Sequence, residues 1–259
     1  MRVSAVSYLN TWPLVWGFEH GPQKGLFDFR FDLPAVCAAA VESGEADIGL
    51  VPCAELDRLG LGFFPELGIA CEGPVRSILL ISKCAAEGIR TLAVDSGSRT
   101  SVALARIVLE RSYGCRPLIS RYPPQLDQML EENDAALIIG DPALHLDPAQ
   151  LPYQVLDLGA EWRELTGLPM VFAVWAGKVG FLTSQVARAF VGSYQWGLQH
   201  MDDIVKAANR ERGFTEAVAF DYLTRHIVYE LTARHLQGLE LYREYVRALP
   251  RLASLPDRG

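Results

Sequence analysis

The chain has 259 residues and a formal net charge of −7, with 50% hydrophobic and 21% charged residues. That balance fits one large domain or two small ones with a sizeable core, and it argues against disorder. The negative charge argues against nucleic acid or an anionic membrane as partner, and no run of 18 apolar residues offers a membrane span.

Cys37, Cys53, Cys71, Cys84 and Cys115 are an odd number with no CxxC, so neither a zinc site nor a redox pair is indicated. Buried free thiols are the expectation. The N-terminus runs straight into a strand-like segment with no apolar leader, and a soluble cytoplasmic protein is expected.

The first two-thirds alternates strand-like and helix-like segments. "RVSAVS" reads as a strand, and "NTWPLVWGFE" as a helix with Asn10 or Thr11 as N-cap and Pro13 in its first turn. "FDFRFDL" alternates like a half-buried strand, and "PAVCAAAVESGE" is a helix opened by Pro34 and stopped by Gly44. "ADIGLV", "FFPELGIACEG" and "RSILLISK" are further strands. After Gly88 the pattern restarts: strand "RTLAVD", helix "SRTSVALARIVLERSYG", strand "RPLISRY", helix "PQLDQMLEEN", strand "DAALIIG" and a turn of helix at "DPALHL". "YQVLDLG", "AEWRELTG" and "LPMVFAVWAG" complete the run as strand, helix and strand. From Thr183 to Leu249 everything reads as helix, with breaks near Gly213 and Gly238.

Such alternation implies mainly parallel sheet covered by helices. Two runs of this kind suggest an α/β chain of two lobes, in the manner of type II periplasmic binding proteins, with a ligand cleft between them and a helical C-terminal tail. The crossings are expected near Ser82–Gly88 and Trp175–Gly180. Residues 1–86 and 177–259 would form a discontinuous first lobe with the tail, and 87–176 an inserted second lobe.

Four stretches could carry chemistry. In "DSGSRTS", Gly97, Ser98, Arg99, Thr100 and Ser101 stand where a helix begins. A helix start offers unpaired N–H groups and the positive end of its dipole, which suits a carboxylate or phosphate. The simpler alternative is an N-cap with its serines in water. In "SYLNTWPL", Asn10 ends the first strand, with Thr11 beside it. Asn10 orients a substrate group or merely caps the helix. In "GPVRSILL", Ser77 opens an apolar strand behind Arg76, which forks onto a carboxylate or lies solvated. Asp141 in "LIIGDPAL" caps the following turn or touches a substrate hydroxyl, whereas Asp47 reads as structural.

His20, His145, His200, His226 and His235 include no pair at metal-ligand spacing, and HExxH and GxSxG are missing. No metal, cofactor or nucleophile is therefore expected, and an enzyme of this kind would run a reaction its substrate nearly performs alone.

Together "SYLNTWPL", "DSGSRTSVALARIVL", "LIIGDPAL" and "DLGAEWRELTGLPMVFAVW" resemble the chorismate dehydratase family of the futalosine route to menaquinone. The resemblance runs from the first strand to about Trp175; Met170 stands where that family leads one to expect an aromatic residue. It implies a binding-protein fold used as a hydro-lyase, converting chorismate to 3-[(1-carboxyvinyl)oxy]benzoate without a cofactor. It further implies that Asn10 and Ser77 lie nearest the chemistry. Thr11, Arg76, Gly97 to Ser101 and Asp141 are then substrate-binding candidates. The partner is a small molecule; monomer and homodimer remain open. Two readings compete: the sister dihydroxynaphthoate synthase, which wants a protein base, and a non-catalytic binder of an anionic aromatic solute.

Overall fold

The computed structural model describes residues 1–95 and 97–250. The chain divides into two compact units, Met1–Ala70 with Val171–Leu236, and Cys71–Met170 with Gln237–Gly259.

In the first unit, β1 (Arg2–Val6), β2 (Asp28–Asp32) and β3 (Ile48–Pro52) pair in parallel, with β1 in the middle. β10 (Met170–Gly177) runs antiparallel to β3, and β4 (Gly62–Cys71) and β11 (Val228–Glu230) extend the sheet to the order β11-β4-β10-β3-β1-β2. The parallel strands are joined by helices, as the period change from two to 3.6 anticipates. α1 (Trp12–His20) carries Pro13 in its first turn, where a missing N–H costs no bond. α2 (Pro34–Ser43) ends at Gly44 in the left-handed region, φ 77°. α1 is fastened to α8 (Ser184–Gln199) through Ser193, whose hydroxyl donates to the Leu14 carbonyl at 2.9 Å and accepts the Phe18 N–H at 3.2 Å. Phe18, Phe27, Phe29, Trp175 and Phe190 form an aromatic cluster at tilted and edge-on angles.

In the second unit, β5 (Ile78–Ser82), β6 (Thr91–Asp95), β7 (Leu118–Tyr122), β8 (Ala135–Ile139) and β9 (Gln154–Asp157) take the order β7-β6-β8-β5-β9. β6, β7 and β8 are parallel, and β5 is antiparallel to both β8 and β9. Leu79, Ile81, Ala93, Ala136 and Ile138 pack with Met129 and Leu130 of α5 (Leu126–Glu132) in one core. α4 (Thr100–Tyr113), α7 (Leu158–Thr166) and α11 (Ala233–Ala248) cover another part of the unit. There Trp162 meets the Tyr242 ring edge-on at 6.0 Å and donates to the Pro169 carbonyl at 3.1 Å.

Both sheets are mixed rather than mainly parallel, because β10 runs against β3 and β5 against β8 and β9. β5 also moves the first crossing. Its antiparallel bonds to β8 and β9 bind it to the second unit, so the chain crosses at Ala70–Cys71, ahead of the expected Ser82–Gly88. The return at Met170–Val171 likewise precedes the expected segment. Nor is the last third wholly helical. Val228–Glu230 pairs with β4, and the chain from Gln237 belongs to the second unit. Gly213 ends α9 (Met201–Arg212) as expected, at φ 73°. Gly238 does not break α11. It lies inside the helix, because a Cβ there would collide with the Pro169 carbonyl oxygen. Among the described residues no helix is long and apolar enough to cross a membrane.

Candidate functional site

The candidate residues fall on both units. In the second, strand registers bring several to one end of the sheet. Ile78 pairs with Ile139, Leu79 with Asp157, and Val94 with Leu137. The start of β5 therefore lies beside the ends of β6, β8 and β9. Ser77, Gly140, Asp141, Asp95 and the residues Gly97 to Ser101 gather there, at the C-terminal end of parallel strands where α/β folds bind ligands. The contact is direct at one point: the Gly140 N–H donates to the Ser77 carbonyl at 2.8 Å. Gly140 holds φ 65°.

The turn that presents Ser77 is held by Asp157. Its carboxylate accepts the Val75 N–H at 2.9 Å and the Arg76 N–H at 2.7 Å. It also caps α7, accepting Gly159 N–H at 2.9 Å and Ala160 N–H at 3.2 Å. Gly159 is required for this approach, since a Cβ would strike the Gly73 carbonyl. Arg76 is the described non-glycine residue with positive φ, 65°. An L-residue rarely adopts that conformation without a compensating contact, and Asp157 supplies one. Arg76 is half-buried, and Ser77 is buried.

The start of α4 differs from a plain cap. Arg99 occupies the N-cap position, exposed, and no side chain caps the helix. Ser98, Thr100 and Ser101 are buried rather than facing water. The Gly97 N–H donates to Asp95 Oδ1 at 2.8 Å, and the Ser98 N–H to the Asp95 carbonyl at 3.1 Å. Burial pushes the Asp95 carboxyl above its usual range, partly opposed by the Gly97 N–H. Ser96 lies outside the described residues. Tyr242 of α11 donates its buried hydroxyl to the Thr100 carbonyl at 3.0 Å, which fixes the first turn of α4 from behind. Asp141 is buried within α6 (Gly140–Leu144), at its second position; the N-cap position there is Ile139.

In the first unit, Asn10 sits in a single 3₁₀ turn (Leu9–Thr11) directly after β1. It is half-buried, and its Nδ2 donates to the Tyr222 hydroxyl at 3.1 Å. Asn10 does not cap α1. Thr11 holds that N-cap position, but its hydroxyl makes no capping bond and is buried with no partner among the described residues. Arg212 ties the same end of the sheet to α9, donating to the Ser7 carbonyl at 2.7 Å with its guanidinium 5.5 Å from the Trp12 ring centre.

Asp47 is structural, accepting the Arg2 N–H at 2.8 Å and pairing with the Arg2 side chain at 3.3 Å. The five cysteines are free; Cys37, Cys53 and Cys71 are buried, and burial raises the Cys37 thiol to about 11. No cluster of three or more His, Cys, Asp or Glu among the described residues could hold a metal ion. His145, the histidine nearest in sequence to Asp141, is exposed.

Sequence reasoning passed over Asp157, Asp95 and Tyr222. Asp157 was within reach, since an Asp followed by "LGAEW" is an N-cap signature. Tyr222 carried no local signal, because its bond to Asn10 spans 212 residues.

A family model described as menaquinone biosynthesis matches residues 1–248. The chain is 29% identical over 232 residues to the chorismate dehydratase of Thermus thermophilus, covering 82% of this chain and 84% of that protein. Protein AF1704 of Archaeoglobus fulgidus has a similar structure, with a TM-score of 0.76 at 17% identity over 95% of this chain and 96% of that one. The periplasmic aliphatic sulphonate binding protein of Escherichia coli follows at 0.62 and 14%, over 97% and 88%. The fold is thus periplasmic-binding-protein-like, as the two runs of alternating strands and helices had suggested.

Proposed function

From the premise that the chain belongs to the menaquinone biosynthesis family, we propose that it is a chorismate dehydratase, a hydro-lyase yielding 3-[(1-carboxyvinyl)oxy]benzoate. The observation that carries this reading is the likeness to the Thermus thermophilus enzyme across 82% of the chain.

The chemistry suits the residues. A ring C–H bond and the neighbouring C–OH bond break, the proton and hydroxyl leave as water, and the ring becomes aromatic. No electrons are exchanged with a second reagent. Aromatisation provides the driving force, so the protein's task is to hold and orient a dicarboxylate; orientation contributes up to roughly 7–11 kcal/mol in favourable cases. The uncapped, hydroxyl-rich start of α4 is suited to one carboxylate, with Ser98, Thr100 and Ser101 supplying hydroxyl donors, Gly97 allowing close backbone approach, and Arg99 standing at the exposed N-cap. Ser77 hydrogen-bonds a carboxylate or the departing hydroxyl, with Arg76 and Asp141 beside it. Asn10 orients the reacting centre, and Thr11 adds a hydroxyl that the fold itself leaves unused. A substrate carboxylate takes the ring proton, since an amide is a poor base.

The test is to incubate the protein with chorismate and follow both acids by mass spectrometry. Loss of 18 mass units, about one water per turnover, is expected. Asn10→Ala and Ser77→Ala should each lower kcat by at least about tenfold, within the range for positioned polar groups. Unchanged chorismate would remove this reading. A melting shift without turnover would favour the binder, and turnover of a cyclised futalosine derivative instead would favour the sister synthase.

A further inference from the structure

We propose that Tyr222 is a positioning residue, whose hydroxyl fixes the plane of the Asn10 side-chain amide for the reaction. The inference rests on the dehydratase reading and deepens it.

The geometry is specific. Asn10 Nδ2 donates to Tyr222 Oη at 3.1 Å. An Asn amide turns about a broad, roughly two-fold torsion, so an unanchored side chain samples both faces. The bond to Tyr222 uses one of the amide's four hydrogen-bonding positions and sets the direction of the other three. Tyr222 can serve as such an anchor because it is itself held. Its side chain is 2% exposed. It opens a π-helical turn, Tyr222–His226, that continues α10 (Glu216–Asp221), and the Ile227 N–H reaches back to the Tyr222 carbonyl at 3.2 Å. Single π turns within helices recur at functional sites, where they displace one side chain from the regular register.

A second buried phenol lies in the same unit. Tyr229 on β11 is fully buried with its ring 5.5 Å from that of Tyr194. Its phenol is held well above the usual value, by burial first and then by Tyr222 and Tyr194. It therefore stays protonated across the working range, so no phenolate charge arises there.

The experiment uses Tyr222→Phe, Asn10→Ala and the double variant in the full chain. Tyr222→Phe should lower kcat about five- to twentyfold with KM for chorismate within about twofold, the size expected from losing one orienting hydrogen bond. In the Asn10→Ala background the same change should have no further effect on kcat. An independent readout is the Asn10 side-chain amide in the ¹⁵N–¹H spectrum, identified by its loss in Asn10→Ala. Tyr222→Phe should shift one of its two protons and speed their exchange. A retained kcat, a multiplying double variant, or an unmoved amide signal each overturns the positioning role. Wild-type protein that leaves chorismate intact overturns the dehydratase reading instead, while the amide signal still decides whether Tyr222 holds Asn10.

Discussion

Replacing Asp157 with Ala tests whether one carboxylate organises the turn before Ser77. The side chain caps α7 and receives the Val75 and Arg76 N–H groups at 2.9 and 2.7 Å. Loss of an Asp cap costs about 1 kcal/mol. The two bonds to the turn are charge-assisted, but Asp157 is half-exposed, so about 1 kcal/mol each is a fair value. The expected destabilisation is about 3 kcal/mol in urea unfolding followed by circular dichroism. At about 2–4 °C per kcal/mol for chains of this size, Tm should fall roughly 6–12 °C. Asp157→Asn keeps Oδ1, which serves both α7 and the Val75 N–H, but sets an amide against the Arg76 N–H, so it should recover about 2 kcal/mol of the loss. A loss below about 1 kcal/mol for Asp157→Ala would refute the assignment. So would full recovery by Asn, because the Arg76 bond would then count for nothing.

Arg76→Gly should be neutral or stabilising by up to about 1 kcal/mol, since glycine accepts φ 65° freely. If the guanidinium holds substrate, KM for chorismate should nonetheless rise. Thr11→Val keeps the shape of the side chain and removes a buried hydroxyl without a partner, so stability should hold or improve by about 1 kcal/mol. A fall in kcat/KM in the same variant would place that hydroxyl on the substrate, and unchanged kinetics would remove Thr11 from the site. Gly238→Ala forces a methyl group onto the Pro169 carbonyl and should cost about 1–3 kcal/mol, read by urea titration. Asp95 has its folded-state pKa raised by burial, so the native state holds that proton more tightly than the unfolded chain. Its contribution is fully present below the unfolded pKa, near pH 4, and is lost as pH rises through the folded value. Asp95→Asn retains an oxygen for the Gly97 N–H and should gain stability relative to wild type between about pH 4 and 7. A constant difference across that range would show that Asp95 does not titrate as described.

Much of the fold was legible because it is local. Pro34 and Gly44 bracket α2, and the alternation of "DFRFD" marks β2. The sheet edges were harder. "RSILLISK" reads as a strand whichever unit owns it, and only its bonds to β8 and β9 decide. β11 has three residues inside a helical run, too few for a period to show. At the site, Ser98, Thr100 and Ser101 were visible as donors at a helix start, with Gly97 beside them. That the serines turn inward was not, and neither was the brace on the Thr100 carbonyl, which comes from Tyr242, 142 residues away. The same limit hid Tyr222 behind Asn10. Residues that touch a substrate leave a trace in their own segment; residues that hold them in place need not.

Because α11 donates Tyr242 to the Thr100 carbonyl and closes over Trp162, the second unit is incomplete until the chain beyond Gln237 has been made. During synthesis its five strands emerge first and wait, with an indole uncovered and the opening turn of α4 lacking its brace. Cleavage in the stretch just before Ala233 should therefore loosen that turn ahead of any strand, so the start of α4 would be the last part of the unit to set and the first to give way.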